Sequence, residues 1–145
     1  MWEMVNNRRI LFGENRIAEI PGILKWYGLK KVFFASFNSN QALRERICTS
    51  LKSEGIDYVI YSKIKGEPDL HMINEGRDLF VQEGCDCTLA VGGGSVIDAA
   101  KAIGMMATNG GLVQEYQMDG KAVTTLPPFF IAVPTTSGTG AEATK

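Results

Sequence analysis

Short runs of β-branched and aromatic residues alternate along this chain with longer segments whose apolar positions recur every three or four residues. The run "KKVFFASF" (30–37) reads as a buried strand, and after the polar turn "NSN" a helix is expected from about Gln41 to Glu54. Leu43, Ile47 and Leu51 share one face of it, and Gly55 marks its stop. A strand follows at "DYVIYS". Pro68 and Asp69 then open a helix through Leu70, Ile73, Leu79 and Phe80 that ends at Gly84. Near the start, "ILFG" (10–13) has the composition of a strand, and Ile20, Ile23, Leu24 and Tyr27 suit a helix with Pro21 in its first turn. Strands alternating with helices in this way specify an α/β domain with a mainly parallel sheet.

Two stretches carry the candidate chemistry. In "CTLAVGGGSVIDAAKAIG" (87–104) a buried strand runs into Gly92, Gly93 and Gly94, and a helix begins at Ser95. Ser95 and Asp98 have capping-box spacing. The remaining first-turn amides and the helix dipole favour an anion, and glycines let a phosphate approach the backbone. The same glycines also suit a tight turn packed closely on its strand, and Asp98 also suits a first helical turn for its charge alone. The second stretch, "FFIAVPTTSGTGAE" (129–142), repeats the plan of strand, glycine-containing turn and helix start. Thr139 and Glu142 have capping-box spacing, and Thr135, Thr136 and Ser137 bring hydroxyls to the carboxyl end of the strand, where open parallel sheets bind ligands.

Composition narrows the partners. A net charge of −1 gives no basic field for nucleic acid, so no nucleic-acid role is expected. No stretch approaches the roughly 18 apolar residues of a spanning helix, and "MWEMVNNRRI" lacks a signal-peptide core. A cytoplasmic protein without a membrane role is expected. The three cysteines lack zinc-ligand spacing and read as reduced core residues. His71 is the single histidine and reads as a solvated or capping residue.

At the two glycine stretches the chain resembles the iron-containing (group III) alcohol dehydrogenases, relatives of glycerol dehydrogenase and dehydroquinate synthase. "GGGSVIDAAKAIG" is similar to the family's GGGSxxDxAK signature, and "IAVPTTSGTGAEAT" to its PTTxGTGxE signature. "ILFGENRIAEIPGILKWYGLKKVFF" is similar to the family's opening. The resemblance implies a Rossmann-like open sheet with helices on both faces, and makes residues 1–145 a dinucleotide-binding domain, expected to be a fragment of a two-domain enzyme. It implies NAD or NADP, with Gly92 among the cofactor-binding residues and the pyrophosphate near Gly93, Gly94 and Ser95. Thr135, Thr136, Ser137 and Thr139 would lie along the cofactor, and Asp98 near its nicotinamide end. It further implies a small alcohol or aldehyde as substrate, and Fe2+ or Zn2+ held by a C-terminal helical domain outside these residues. No catalytic or metal-binding residue is therefore expected within the chain. A homodimer is implied as well, with the "RRILFG" edge and Trp2, Met4 and Val5 at the contact.

The chain departs from the family pattern at two places. Phe37, followed by Asn38, stands where many members have an aspartate after the first nucleotide-binding strand, and Glu67-Pro68 stands where many have Asn-Pro. Phe37, Asn38 and Glu67 are thus the candidate residues around the adenosine. Two other readings remain: a dehydroquinate synthase-like or glycerol-1-phosphate dehydrogenase-like domain, and a self-contained nucleotide-binding module without catalysis.

Overall fold

The run Val32-Phe33-Phe34-Ala35 has no polar face, and a strand of that composition must be covered on both sides. In the computed structural model, which describes residues 9–144, this run lies within β1 (Lys31–Ser36), and all four residues are fully enclosed. β1 is paired in parallel on one side with β2 (Asp57–Tyr61) and on the other with β3 (Cys87–Gly92), which pairs in turn with β4 (Phe129–Pro134). The order is β2-β1-β3-β4, all parallel. Asp86, just before β3, locks the base of the central seam by accepting hydrogen bonds from the amides of Lys30 (2.7 Å) and Lys31 (3.2 Å).

Helices cover both faces. α1 (Ile20–Trp26) and α2 (Gln41–Ser53) pack Ile20, Leu24, Ile47 and Leu51 against Val32, Phe34, Leu89 and Val91. On the other face α3 (Leu70–Gln82) and α4 (Gly94–Asn109) pack Ile73, Phe80, Ile97 and Ile103 against Phe33, Ala35, Tyr61 and Ala90. Each such aliphatic or aromatic side chain stabilises the fold by about 1.5–3 kcal/mol when taken from water. α3 starts where Asp69 accepts the Met72 amide at 2.7 Å, so the expected opening is a side-chain cap. Tyr61 donates its hydroxyl to the Met72 carbonyl at 2.7 Å and ties that helix start to β2.

Two expectations are corrected, one lies outside the described residues, and one helix is additional. Residues 10–12 form no strand: Ile10 and Phe12 are 73% and 95% exposed, so their apolar character has no partner strand to satisfy. Trp2, Met4 and Val5, expected beside them at a dimer contact, lie outside the described residues. A short helix α5 (Val113–Gln117) appears where none was expected, opened by the Glu115 side chain accepting the Leu112 amide at 3.1 Å. Finally, Cys48 and Cys87 are buried free thiols as expected, but Cys85 is only half-buried.

At Gly76, α3 packs directly against α4. A β-carbon there would lie 2.4 Å from Ile103 Cδ1 and 3.3 Å from Tyr61 Cε1, and Ile103 is fully enclosed. Gly76→Ala is therefore expected to destabilise the protein by about 1–3 kcal/mol despite alanine's better helix propensity. Combining it with Ile103→Ala should recover part of that loss in urea unfolding; an unchanged midpoint for the single variant would contradict the close approach.

Candidate functional site

The winding of the sheet reverses between β1 and β3. β1 leads outward to β2 through α2 on one face, whereas β3 leads the opposite way to β4 through α4 on the other face. Such a reversal leaves a crevice beyond the carboxyl ends of the two strands, and in open α/β sheets this is where ligands bind. Gly92, Gly93, Gly94 and Ser95 line its β3 side, and Ser36, Phe37 and Asn38 its β1 side. Ser36 sits opposite Val91, fully enclosed, with its Oγ lacking a hydrogen-bond partner.

The two glycine turns are built against each other. Gly92 is in register with Pro134, and the Thr135 amide donates to the Gly92 carbonyl at 3.0 Å. A β-carbon on Gly93 would lie 2.9 Å from Thr136 Oγ1, and one on Gly94 would lie 2.5 Å from Thr139 Oγ1. One on Gly92 would meet the Val96 side chain at 2.7 Å. The first neighbours of these glycines are thus the protein's own threonines and valine, and closeness to a phosphate is not needed to explain Gly92.

Ser95 does not cap the helix. Gly93 is the N-cap, in extended conformation, and its carbonyl accepts the Val96 and Ile97 amides at 3.1 and 3.2 Å. Ser95 is consequently the second helical residue, and the Ser95–Asp98 pair forms no capping box. The outcome leaves the Gly94 and Ser95 amides, which have no intrahelical acceptor, without a side-chain cap at the mouth of the crevice. Thr139 likewise starts no α-helix. Gly140 follows it in the left-handed region (φ 69°), and a single 3-10 turn covers Ala141–Ala143. Thr139 Oγ1 accepts the Ala141 amide at 3.3 Å.

The structure therefore brings together Gly92, Gly93, Gly94 and Ser95 with Thr135, Thr136 and Thr139. Ser137 is exposed in the same turn, and Asp98 is exposed in the second turn of α4. Phe37 is half-buried against the core on the α3–α4 face, and exposed Asn38 accepts a hydrogen bond from Arg44 Nη1 at 3.3 Å. Glu67 stands exposed on the β2–α3 loop, beyond the carboxyl end of β2.

Lys101 had no role assigned from sequence. Its ammonium donates to the carbonyls of Ala141 and Thr144 and, at 2.9 Å, to Thr144 Oγ1, so α4 holds the far end of the second turn in place. Burial lowers its pKa below the usual lysine value, against the opposing pull of Asp98 and Glu142. The only sign in the sequence was that Lys101 and Asp98 are the sole charges on an otherwise Ala- and Ile-rich helix.

Among the described residues no three His, Cys, Asp or Glu side chains cluster in a way that could hold a metal ion. Burial also pushes the Cys85 thiol up to about 11 and that of Cys87 higher still, so neither offers a thiolate. No described helix is long and apolar enough to cross a membrane.

Comparison with known proteins agrees with this geometry. The chain is 35% identical over 137 residues to an NAD-dependent methanol dehydrogenase of Bacillus methanolicus, covering 93% of this chain and 36% of that protein. It superposes on an NADH-dependent butanol dehydrogenase A of Thermotoga maritima with a TM-score of 0.90 at 29% identity, covering 99% of this chain and 36% of the other. A sulfoacetaldehyde reductase of Bifidobacterium kashiwanohense in complex with NAD+ gives 0.87 at 27% identity, with 99% and 38% covered. The chain thus spans little more than a third of the length of these relatives. The family model described as iron-containing alcohol dehydrogenase matches residues 7–145, and the chain belongs to that family.

Proposed function

We propose that this chain is the nicotinamide-cofactor-binding part of a metal-dependent alcohol dehydrogenase that moves a hydride between a small alcohol or aldehyde and NAD or NADP. The observation that carries the reading is the pair of uncapped amides, Gly94 and Ser95, at the switch-point crevice with the threonine turn packed beside them. These features fit a dinucleotide. The bound nicotinamide would supply the hydride-accepting ring.

The residues of this chain hold and orient. The Gly94 and Ser95 amides donate to the pyrophosphate, and Thr135, Thr136, Ser137 and Thr139 present hydroxyls along it. Asp98 lies towards the nicotinamide end, with Phe37, Asn38 and Glu67 around the adenosine. Lys101 keeps the threonine turn against α4. Since no metal cluster is found among the described residues, iron or zinc ligands are assigned to the length of the relatives that this chain does not span. The same reading makes the whole enzyme a cytoplasmic homodimer.

Calorimetry tests the proposal directly. The 145-residue chain should bind a nicotinamide dinucleotide with a Kd of roughly 0.1–1 mM, about −4.1 to −5.5 kcal/mol, and should reduce none of it when an alcohol is added. Alcohol-dependent reduction by the rigorously purified chain, or no binding at millimolar dinucleotide, would overturn it.

A further inference from the structure

Asn109 is the last residue of α4 and Gly110 follows it; Asn-Gly occurs nowhere else in the chain. In such a pair the glycine amide nitrogen, with no side chain beside it, is free to attack the asparagine side-chain carbonyl carbon once the two are brought together. The native structure engages the groups that this attack uses. Asn109 Nδ2 donates to the carbonyls of Met105 (3.0 Å) and Thr125 (2.8 Å), and Oδ1 accepts the amides of Thr124 (2.9 Å) and Thr125 (2.8 Å). Gly110, in the left-handed region (φ 68°), donates its amide to the Met106 carbonyl at 2.8 Å, and its own carbonyl accepts the Tyr116 hydroxyl at 2.6 Å. The side chain that fastens residues 124–125 to the end of α4 therefore carries the reactive carbonyl.

These contacts sit at the end of a helix, where the final carbonyls lack helical partners and opening costs less free energy than in the core. Asn109 is half-buried between exposed Thr108 and Gly110. Beyond it, residues 110–128 hold only the short α5 before β4 begins. Fraying of this last turn releases the Gly110 amide and the Asn109 side chain together.

We propose that Asn109 is a modification site, converted by intramolecular deamidation and gated by opening of the α4 C-terminus. On opening, the Gly110 nitrogen gives its proton to solvent and bonds to Asn109 Cγ; the Cγ–Nδ2 bond breaks and the side-chain nitrogen leaves as ammonia. One water then opens the five-membered succinimide at either carbonyl, giving aspartate or isoaspartate, with no oxidant or reductant. Neither product restores the closed state. Both replace the Nδ2 donor with a carboxylate oxygen facing the Met105 and Thr125 carbonyls, at the negative end of the helix dipole. Isoaspartate also adds a methylene to the main chain ahead of Gly110, which lengthens the path between the Met106 carbonyl and the Gly110 amide. Opening is reversible until this step and one-way after it.

The test follows conversion of the 145-residue chain by mass spectrometry at mildly alkaline pH, in native buffer and in urea, scoring aspartate and isoaspartate separately. Asn109 should convert faster than any other asparagine in urea, and at least about thirtyfold more slowly in the native protein; a smaller difference overturns the gate. Tyr116→Phe removes the donor to the Gly110 carbonyl without touching the Asn-Gly pair. It should speed native conversion about two- to tenfold and leave the rate in urea unaltered, whereas an unchanged native rate overturns the gate equally. Natively aged protein, and Asn109→Asp made directly, should both be cut by protease within residues 118–126 at least about fivefold faster than the unconverted chain. Equal cutting of converted and unconverted protein overturns the one-way step.

Discussion

A valine in place of Gly94 is expected to weaken dinucleotide binding by more than about a hundredfold, near 2.7 kcal/mol, while costing the fold less than about 1 kcal/mol. The β-carbon alone would lie 2.5 Å from Thr139 Oγ1 and 3.2 Å from its Cγ2, before the two methyl groups of valine are added. Something must shift. Thr139 is exposed and can turn aside at little cost, which protects stability. If instead the α4 start shifts, the uncapped Gly94 and Ser95 amides are no longer presented to the crevice. Pairing Gly94→Val with Thr139→Gly separates the two ways a glycine can matter here. Recovery of affinity means that Gly94 serves the contact between the turns; persistent loss means that valine obstructs the ligand itself. Retention of binding within about threefold by the single variant would contradict both.

Phe33→Ala should lower stability by about 3–5 kcal/mol. Phe33 is fully enclosed in the central strand, and its ring centroid lies 5.6 Å from those of both Tyr61 and Phe80. Removing it leaves a cavity bounded by β2 on one side and α3 on the other, with neither able to collapse far because Tyr61 is fixed by its hydrogen bond to Met72. Aromatic pairs of this kind add about 0.5–1.5 kcal/mol beyond area alone. Against a typical domain stability of about 5–15 kcal/mol the loss is large enough to leave a substantial unfolded fraction at moderate temperature. Urea unfolding followed by circular dichroism gives the value; a loss under 1 kcal/mol would mean that the α3–α4 face is loosely packed.

The two central strands were readable from sequence because each is an apolar run that the sheet encloses, Val32–Ala35 and Cys87–Val91 being buried throughout, whereas the partly buried β2 and β4 were readable by their β-branched and aromatic residues between turn signals. Asp69 was readable for the same local reason, since a cap depends on residues only three apart. The errors arise where structure depends on what is far away in sequence. Ile10-Leu11-Phe12 has the residues of a strand but no strand beside it among those described. Ser95 and Asp98 have cap spacing, yet the turn at Gly92-Gly93 starts the helix one residue earlier, which places Ser95 inside it. Thr139 has the same spacing to Glu142, but Gly140 takes a left-handed backbone and only one 3-10 turn follows. In the candidate site, the glycines and threonines were legible as two separate motifs. That Gly93 faces Thr136 and Gly94 faces Thr139 was not, because the contact follows from β3 and β4 lying side by side. Lys101 escaped notice for the same reason: its partners are some forty residues away.

The all-parallel order has a consequence for how this sheet is assembled. No neighbouring strands are joined by a hairpin: Lys31 faces Asp57, Val32 faces Cys87, and Cys87 faces Phe129. Each pairing must close a long loop first, and sheets dominated by such non-local contacts form slowly, in milliseconds to seconds. On the ribosome the delay is longer. At about 5–20 residues per second, the nascent chain spends several seconds between emergence of Val32 and emergence of Cys87. Throughout that interval β1 can be covered on its β2 side only, and its other edge exposes the hydrogen-bonding groups of an apolar strand to any chain nearby. The seam that creates the crevice is therefore also the one left open longest during synthesis. A nascent chain stalled before Cys87 would carry Val32–Ala35 as an unpaired, aggregation-prone edge.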